Sequence, residues 1–208
     1  AAYFSAGGEA SRLGSGMSDL IAHLRDLAAT AAKAADTLGP SIEQAAAMVQ
    51  AAVERGGTLF FCGNGGSAAD AQHIATEYVV RYQRERRAIA AIALTTDTSL
   101  LTAAANDYSF DLIFARQIEA LGKPGDLLVM HTTSGKSANL IKAAEAAKTR
   151  GVATLALSAK GGGPLAAVVD HCVVIPTDRT DRAQEIQMAI QHAICDRIDA
   201  KVYSKAAK

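Results

Sequence analysis

Beyond Gly57 the chain falls into short apolar runs separated by longer stretches with a helical repeat. The runs are TLFFC (58–62), AIAAIAL (88–94), DLLVMHT (126–132), VATLALS (152–158) and HCVVIP (171–176). Continuous apolar strands that alternate with helices predict a parallel sheet covered on both faces. The expected fold is therefore α/β and doubly wound, a three-layer α/β/α sandwich. Ahead of the sheet, residues 17–55 are rich in Ala and other helix formers. Gly39-Pro40-Ser41 should divide them into two helices. Residues 1–16, rich in Gly, Ser and Ala without a sustained period, are expected to form a mobile leader to a single domain over 17–208.

Two helical stretches are amphipathic. Over 68–82, Ala71, Ile74, Ala75, Tyr78, Val79 and Tyr82 fall on one stripe, while His73 and Glu77 share the opposite face one turn apart. Over 180–203, Ala183, Ile186, Ile190, Ala193, Ile194 and Ile198 form the core side. That second helix also carries the polar groups Gln184, Gln187, Gln191 and His192.

Composition narrows the class. A chain of 208 residues, half of them apolar, suits one domain with a full core. No apolar run approaches the roughly 20 residues that span a bilayer, and nothing at the N-terminus resembles a secretory leader. Twenty-one basic residues balance twenty-one acidic ones, so no general attraction for nucleic acid or anionic membrane is expected. Cys62, Cys172 and Cys195 are odd in number and lack metal-finger spacing, which reads as buried thiols in a cytoplasmic protein.

In parallel sheets, ligands bind at the carboxyl ends of the strands. TLFFC is followed there by Gly63-Asn64-Gly65-Gly66-Ser67, and DLLVMH by Thr132-Thr133-Ser134-Gly135-Lys136-Ser137. Glycines let backbone approach an anion, hydroxyls donate to phosphate oxygens, and the following helix N-terminus adds a favourable dipole. Ser67 with Asp70 also fits a helix-capping pattern. Two such loops, the second with four hydroxyls, favour a phosphate site. The second is not a nucleotide-hydrolysing P-loop, because the first glycine of that motif is missing. His73 and Glu77 are either a solvated helix pair or two ligands of one metal ion. In the second case a neighbouring subunit is the natural cover for their face.

The order CGNGGSAADAQHIATE, LTTDTSLLTAAANDYSFD, TTSGKSAN, then Gln184-Glu185 and His192, closely resembles the phosphoheptose isomerases of the sugar isomerase (SIS) domain family, over about residues 40 to 200. The resemblance implies a SIS domain in a homotetramer packed through N-terminal helices. The implied activity converts sedoheptulose 7-phosphate to D-glycero-D-manno-heptose 7-phosphate through a metal-stabilised enediol. It implies one Zn²⁺ per subunit on His73, Glu77, Gln184 and His192, and an acid/base pair of Glu77 and His192. Substrate contacts are implied at Asn64, Gly65, Gly66, Asn106, Asp107 and Gln184, with Asp181 beside the site. The implied phosphate grip is Ser67, Thr132, Thr133, Ser134 and Ser137.

Two departures stand out. Thr132 replaces the usual Ser, and Gln187 the usual His. The alternatives are a non-catalytic SIS protein that associates with the bacterial replication initiator, or another phosphosugar isomerase or binding domain. The full match at the four metal positions favours the heptose enzyme. One geometric problem remains. Gln184 and His192 are eight residues apart, about 12 Å along a straight helix. Either the helix starts irregularly, one of the two does not touch the ion, or the ligands come from different subunits.

Overall fold

The computed structural model describes residues 13–206, with side chains from 19 to 202. Of the expected leader, residues 1–12 lie outside the described residues and 13–16 form the first turn of a helix. That helix, α1 (Leu13–Glu54), precedes β1 (Leu59–Gly63), α2 (Gly66–Val79), β2 (Ala91–Ala93), α3 (Thr98–Asp107) and α4 (Ala115–Leu121). There follow β3 (Leu127–His131), α5 (Ala138–Thr149), β4 (Ala153–Ser158), β5 (His171–Val174) and α6 (Thr180–Ala206). The five strands are all parallel, in the order β2-β1-β3-β4-β5.

Alternate side chains of each central strand enter two separate cores, as the two-residue strand period requires. Leu59 and Phe61 of β1, with Leu127 and Val129 of β3, pack under α1, α2 and α6. Phe60, Cys62, Leu128 and Met130 face the opposite way, onto α4 and α5. The expected α/β/α sandwich is the observed one. β2 is shorter than its apolar run because it is an edge strand. Only Ala91–Ala93 pair with β1, and Ile92 is exposed.

Three local expectations fail. α1 runs unbroken through Pro40, although a proline inside a helix removes one hydrogen bond and costs about 3 kcal/mol. Packing on both sides of the proline outweighs it. Ala34, Ala45, Ala46 and Val49 sink into one core, and His171 Nε2 of β5 bonds the Ser41 carbonyl at 2.8 Å. Val79 is exposed and Tyr82 lies beyond the end of α2, because the helix stops at Val79. Ala193 of α6 also faces outward, its expected place taken by buried Gln187, Gln191 and Cys195.

What stops α2 is a buried ion pair. Arg86 donates to the carbonyls of Glu77 (2.6 Å) and Tyr78 (2.8 Å), satisfying orphan groups of the last turn. Its Nε also meets Asp199 Oδ1 of α6 at 2.7 Å. The other Asp199 oxygen accepts the N–H groups of Tyr82, Gln83 and Arg84 at 3.2, 2.8 and 3.0 Å. The segment after α2 is thereby fixed onto α6, and Tyr82 with it. Among the described residues no helix is long and apolar enough to cross a membrane.

Candidate active site

Strand order reverses between β1 and β3, and the two small-residue loops leave those two strands side by side. This is the switch point at which open α/β sheets bind ligands. The loops are tied together by a reciprocal amide pair. Asn64 Nδ2 donates to Asn139 Oδ1 at 3.0 Å, and Asn139 Nδ2 returns to Asn64 Oδ1 at 2.8 Å. Asn139 is a residue that sequence reasoning did not single out.

Between the loops lies a cavity of about 300 Å³, lined by Asn64, Gly66, Ser67, His131, Thr132, Thr133, Ser134, Ser137, Thr180 and Gln184. The hydroxyls facing it are largely free to donate. The N-cap of α2 is Gly65 (φ 58°), with no side-chain cap bond, so the capping reading of Ser67 is not realised. Ser67 lies one residue inside the helix, buried, where Gln184 Nε2 donates to its Oγ at 3.5 Å. Ser137 is the N-cap of α5 but makes no cap bond either. Thr132 Oγ1 accepts the Gly135 N–H at 3.2 Å, and Ser134 Oγ accepts that of Lys136 at 3.3 Å. Accepting leaves each O–H free for an anion. Gly135, at φ 63°, is needed because a Cβ there would sit 1.8 Å from the Gly162 carbonyl. The hydroxyl loop is thus seated directly on the glycine run after β4.

α2 and α6 run alongside each other, so Gln184 meets the start of α2 while His192 meets its middle. His73 Nε2 lies 3.5 Å from Glu77 Oε1 and 2.9 Å from His192 Nε2. One ligand atom from each of the three residues lies within 4.8 Å of the others. His192 stacks on Tyr82, with ring centroids 5.3 Å apart and planes 16° from parallel. Partial burial, then the neighbouring His73, holds the His192 imidazole below its ordinary pKa, with Glu77 opposing. His192 is therefore neutral at neutral pH and keeps a lone pair for a proton or a metal.

Not every expected residue joins these two centres. α6 is helical from Thr180 onward, so an irregular start does not bring Gln184 to His192. Gln184 belongs to the hydroxyl cavity. Asn106 and Asp107 end α3 and bond each other at 2.8 Å; among the described residues neither bonds to the two loops. Asp181 is engaged by Arg179 at 2.6 Å, which holds its carboxyl well below the usual carboxylate range. It also meets His23 of α1 at 3.5 Å, so it ties the start of α6 to α1.

A buried polar column lies under the hydroxyl loop. Gln187 Nε2 donates to the carbonyls of Thr132 (2.6 Å) and Leu157 (3.1 Å), which anchors the loop to α6. Gln191 Nε2 meets His131 Nε2 at 2.9 Å, and the ring stacks on Phe61. Burial pushes the His131 pKa down to about 4. A polar residue ending an otherwise apolar strand was the available signal for His131. A further cavity of about 280 Å³, at the far ends of α1 and α6, is lined by Gln50, Val53, Arg87 and Ile198 and holds none of these groups.

Residues 22–159 match the SIS domain family. The chain is 46% identical over 184 residues to a phosphoheptose isomerase of Thiobacillus denitrificans, covering 87% of this chain and 93% of that one. It is 45% identical over 171 residues to one from Akkermansia muciniphila, covering 82% and 90%. A phosphoheptose isomerase structure from Neisseria gonorrhoeae superposes with a TM-score of 0.84 at 42% identity, covering 88% of this chain and 98% of that one. One from Francisella tularensis gives 0.86 at 34%, covering 89% and 98%. This chain belongs to the phosphoheptose isomerases of the SIS domain family.

Proposed function

We propose that the protein interconverts sedoheptulose 7-phosphate and D-glycero-D-manno-heptose 7-phosphate in the cytoplasm, an early step towards bacterial surface heptose. The observation that carries the reading is the spacing of the two centres on one helix. Ser67, in the hydroxyl cavity, and His73, in the His/Glu/His cluster, are six residues apart on α2, about 9 Å along its axis. A seven-carbon chain anchored by its terminal phosphate in the cavity reaches the cluster with its carbonyl end. Family membership supports the same substrate class.

Anchoring the phosphate fixes the sugar and converts proton transfer into a positioned, effectively intramolecular step. The Glu77 carboxylate accepts the proton from the carbon beside the carbonyl and returns it to the neighbouring carbon. His192, oriented by Tyr82, moves the accompanying proton between the two oxygens in the state where its single imidazole lone pair is not committed to an ion. Gln184 belongs in this reading to the substrate, beside the phosphate.

The donor set fits a divalent ion. Two imidazole nitrogens and a carboxylate oxygen converge within 4.8 Å, the ligand types that zinc takes. His73, Glu77 and His192 would hold Zn²⁺, which when bound supplies Lewis-acid polarisation of the carbonyl. The His73 side chain is 48% exposed, so another subunit closes the groove in this reading. Exposed Leu20, Ile21 and Leu24 on α1 offer apolar surface for a tetramer, which light scattering would measure. The functional test is incubation of the purified protein with sedoheptulose 7-phosphate. Appearance of the aldose phosphate supports the assignment, and no turnover with zinc supplied contradicts it.

A further inference from the structure

The cavity between the loops has hydroxyls suited to an anion, yet among the described residues its walls carry no ionised cation. Its lining is hydroxyls, amides, glycine and His131, which burial keeps neutral. A phosphate monoester brings a charge of about −1.5 to −2 at neutral pH. Helix N-termini supply only partial compensation.

Lys136 of the hydroxyl loop is exposed and outside the lining, and a second candidate for the missing charge follows β4. Lys160 has φ 51°, and among the described residues it is the one non-glycine with positive φ. Side chains other than glycine, Asn and Asp seldom adopt that conformation, and such positions concentrate at ligand-binding sites. The three residues after it are glycines, and a glycine here would relieve the strain, yet the position holds a lysine. The backbone is held there by the turn bond from Gly162 N–H to the Ala159 carbonyl (2.8 Å) and by the Lys160 N–H on the Thr177 carbonyl (3.4 Å).

The side chain then reaches across to α6. Lys160 Nζ donates to Thr180 Oγ1 at 3.3 Å, and Thr180 lines the cavity. Because Thr180 accepts this bond, its own O–H remains for a ligand. The arginines beside it are already neutralised, Arg179 by Asp181 and Asp26, and Arg182 by Asp26 and Glu185. Among the described residues no carboxylate pairs with Lys160 in this way. We propose that Lys160 is a phosphate-binding residue, the counter-charge that the hydroxyl cavity lacks, standing at its rim on Thr180. The identity of the phosphate as that of a sugar rests on the proposed function; the anion itself does not.

Lys160→Met keeps the aliphatic stem and the positive-φ requirement and deletes the charge. Lys160→Arg keeps all three. Binding of inorganic phosphate by calorimetry, and KM and kcat for sedoheptulose 7-phosphate, are measured at low and at raised ionic strength. The expected result is a roughly tenfold weaker phosphate affinity and tenfold higher KM for Lys160→Met at low salt. kcat stays within about twofold of wild type, Lys160→Arg stays near wild type, and the gap narrows as salt screens the charge. Unchanged phosphate affinity in Lys160→Met overturns the proposal. So does a loss that is indifferent to salt and shared by Lys160→Arg, which would mark a purely structural residue. Absence of turnover in wild type counts against the substrate assignment, and the calorimetric arm still decides the role of Lys160.

Discussion

Acidification should destabilise this protein through His131 from about pH 6.5 downward, beginning before carboxylates titrate. The ring ends β3 inside the core, stacked on Phe61 at 6.3 Å and bonded to Gln191 at 2.9 Å, with Nδ1 buried and unpartnered. Protonation would place a cation with no counter-charge between them, and burial accordingly pushes the pKa from 6.5 down to about 4. Between those values the unfolded chain binds a proton that the folded chain does not. Stability contributed by neutral His131 is therefore fully present above about pH 6.5, declines as pH falls, and levels off below about pH 4, where both states are protonated. At about 1.4 kcal/mol per pH unit, that gap amounts to about 3 kcal/mol. The perturbation is His131→Leu, compared with wild type by urea unfolding from pH 7 to pH 4 at one protein concentration. At pH 7 the variant should be less stable, because the Gln191 amide loses its partner. Towards pH 4 the difference should shrink by about 3 kcal/mol, since only wild type has the group to lose. Curves that stay parallel across the window would show that His131 is not held neutral by burial and would place it in contact with solvent or a counter-charge.

Three further outcomes are expected. Ser134→Ala and Ser137→Ala should each weaken sugar-phosphate binding by about 1–3 kcal/mol, the loss of a charge-assisted hydrogen bond, and unchanged affinity in both would reduce the hydroxyl loop to a helix start. Asp199→Asn leaves Arg86 buried without its carboxylate, both side chains being 1% exposed, so unfolding stability should drop by about 3–5 kcal/mol; a change under 1 kcal/mol would contradict the clamp. Elemental analysis should find zinc or a similar divalent ion near one per chain, reduced in His73→Ala; full occupancy in the variant would remove His73 from the ligand set.

The sheet was legible because a parallel strand buried on both faces leaves an unbroken apolar run, and five such runs became five strands. The loops were legible for a related reason, as small residues and hydroxyls at strand ends have few structural uses in combination. Pro40 misled because local punctuation competes with packing, and the contacts of Ala34 and Ala45 on either side are invisible in the sequence. Val79 was assigned to the core on helical period alone. The actual end of α2 is decided by Arg86 and Asp199, which are 113 residues apart in the chain. Periodicity likewise put Ala193 in the core and gave no place to Gln187 and Gln191, since nothing in α6 itself reveals that His131 and the Thr132 carbonyl wait beneath it. His73 and Glu77 were readable as a local pair. Their convergence with His192 follows from the parallel course of two helices that only the fold brings together.

In the proposed reaction Glu77 moves the carbon-bound proton of a phosphate-anchored sugar. That step is tested most directly by incorporation of solvent deuterium into the sugar, which reports proton abstraction even when net product is scarce. Wild type should exchange the proton beside the carbonyl of sedoheptulose 7-phosphate. Glu77→Gln keeps the size and an acceptor oxygen while removing the proton-accepting charge, and should slow that exchange at least about a hundredfold with phosphate binding intact. Exchange at the wild-type rate in Glu77→Gln would show that Glu77 is not the base.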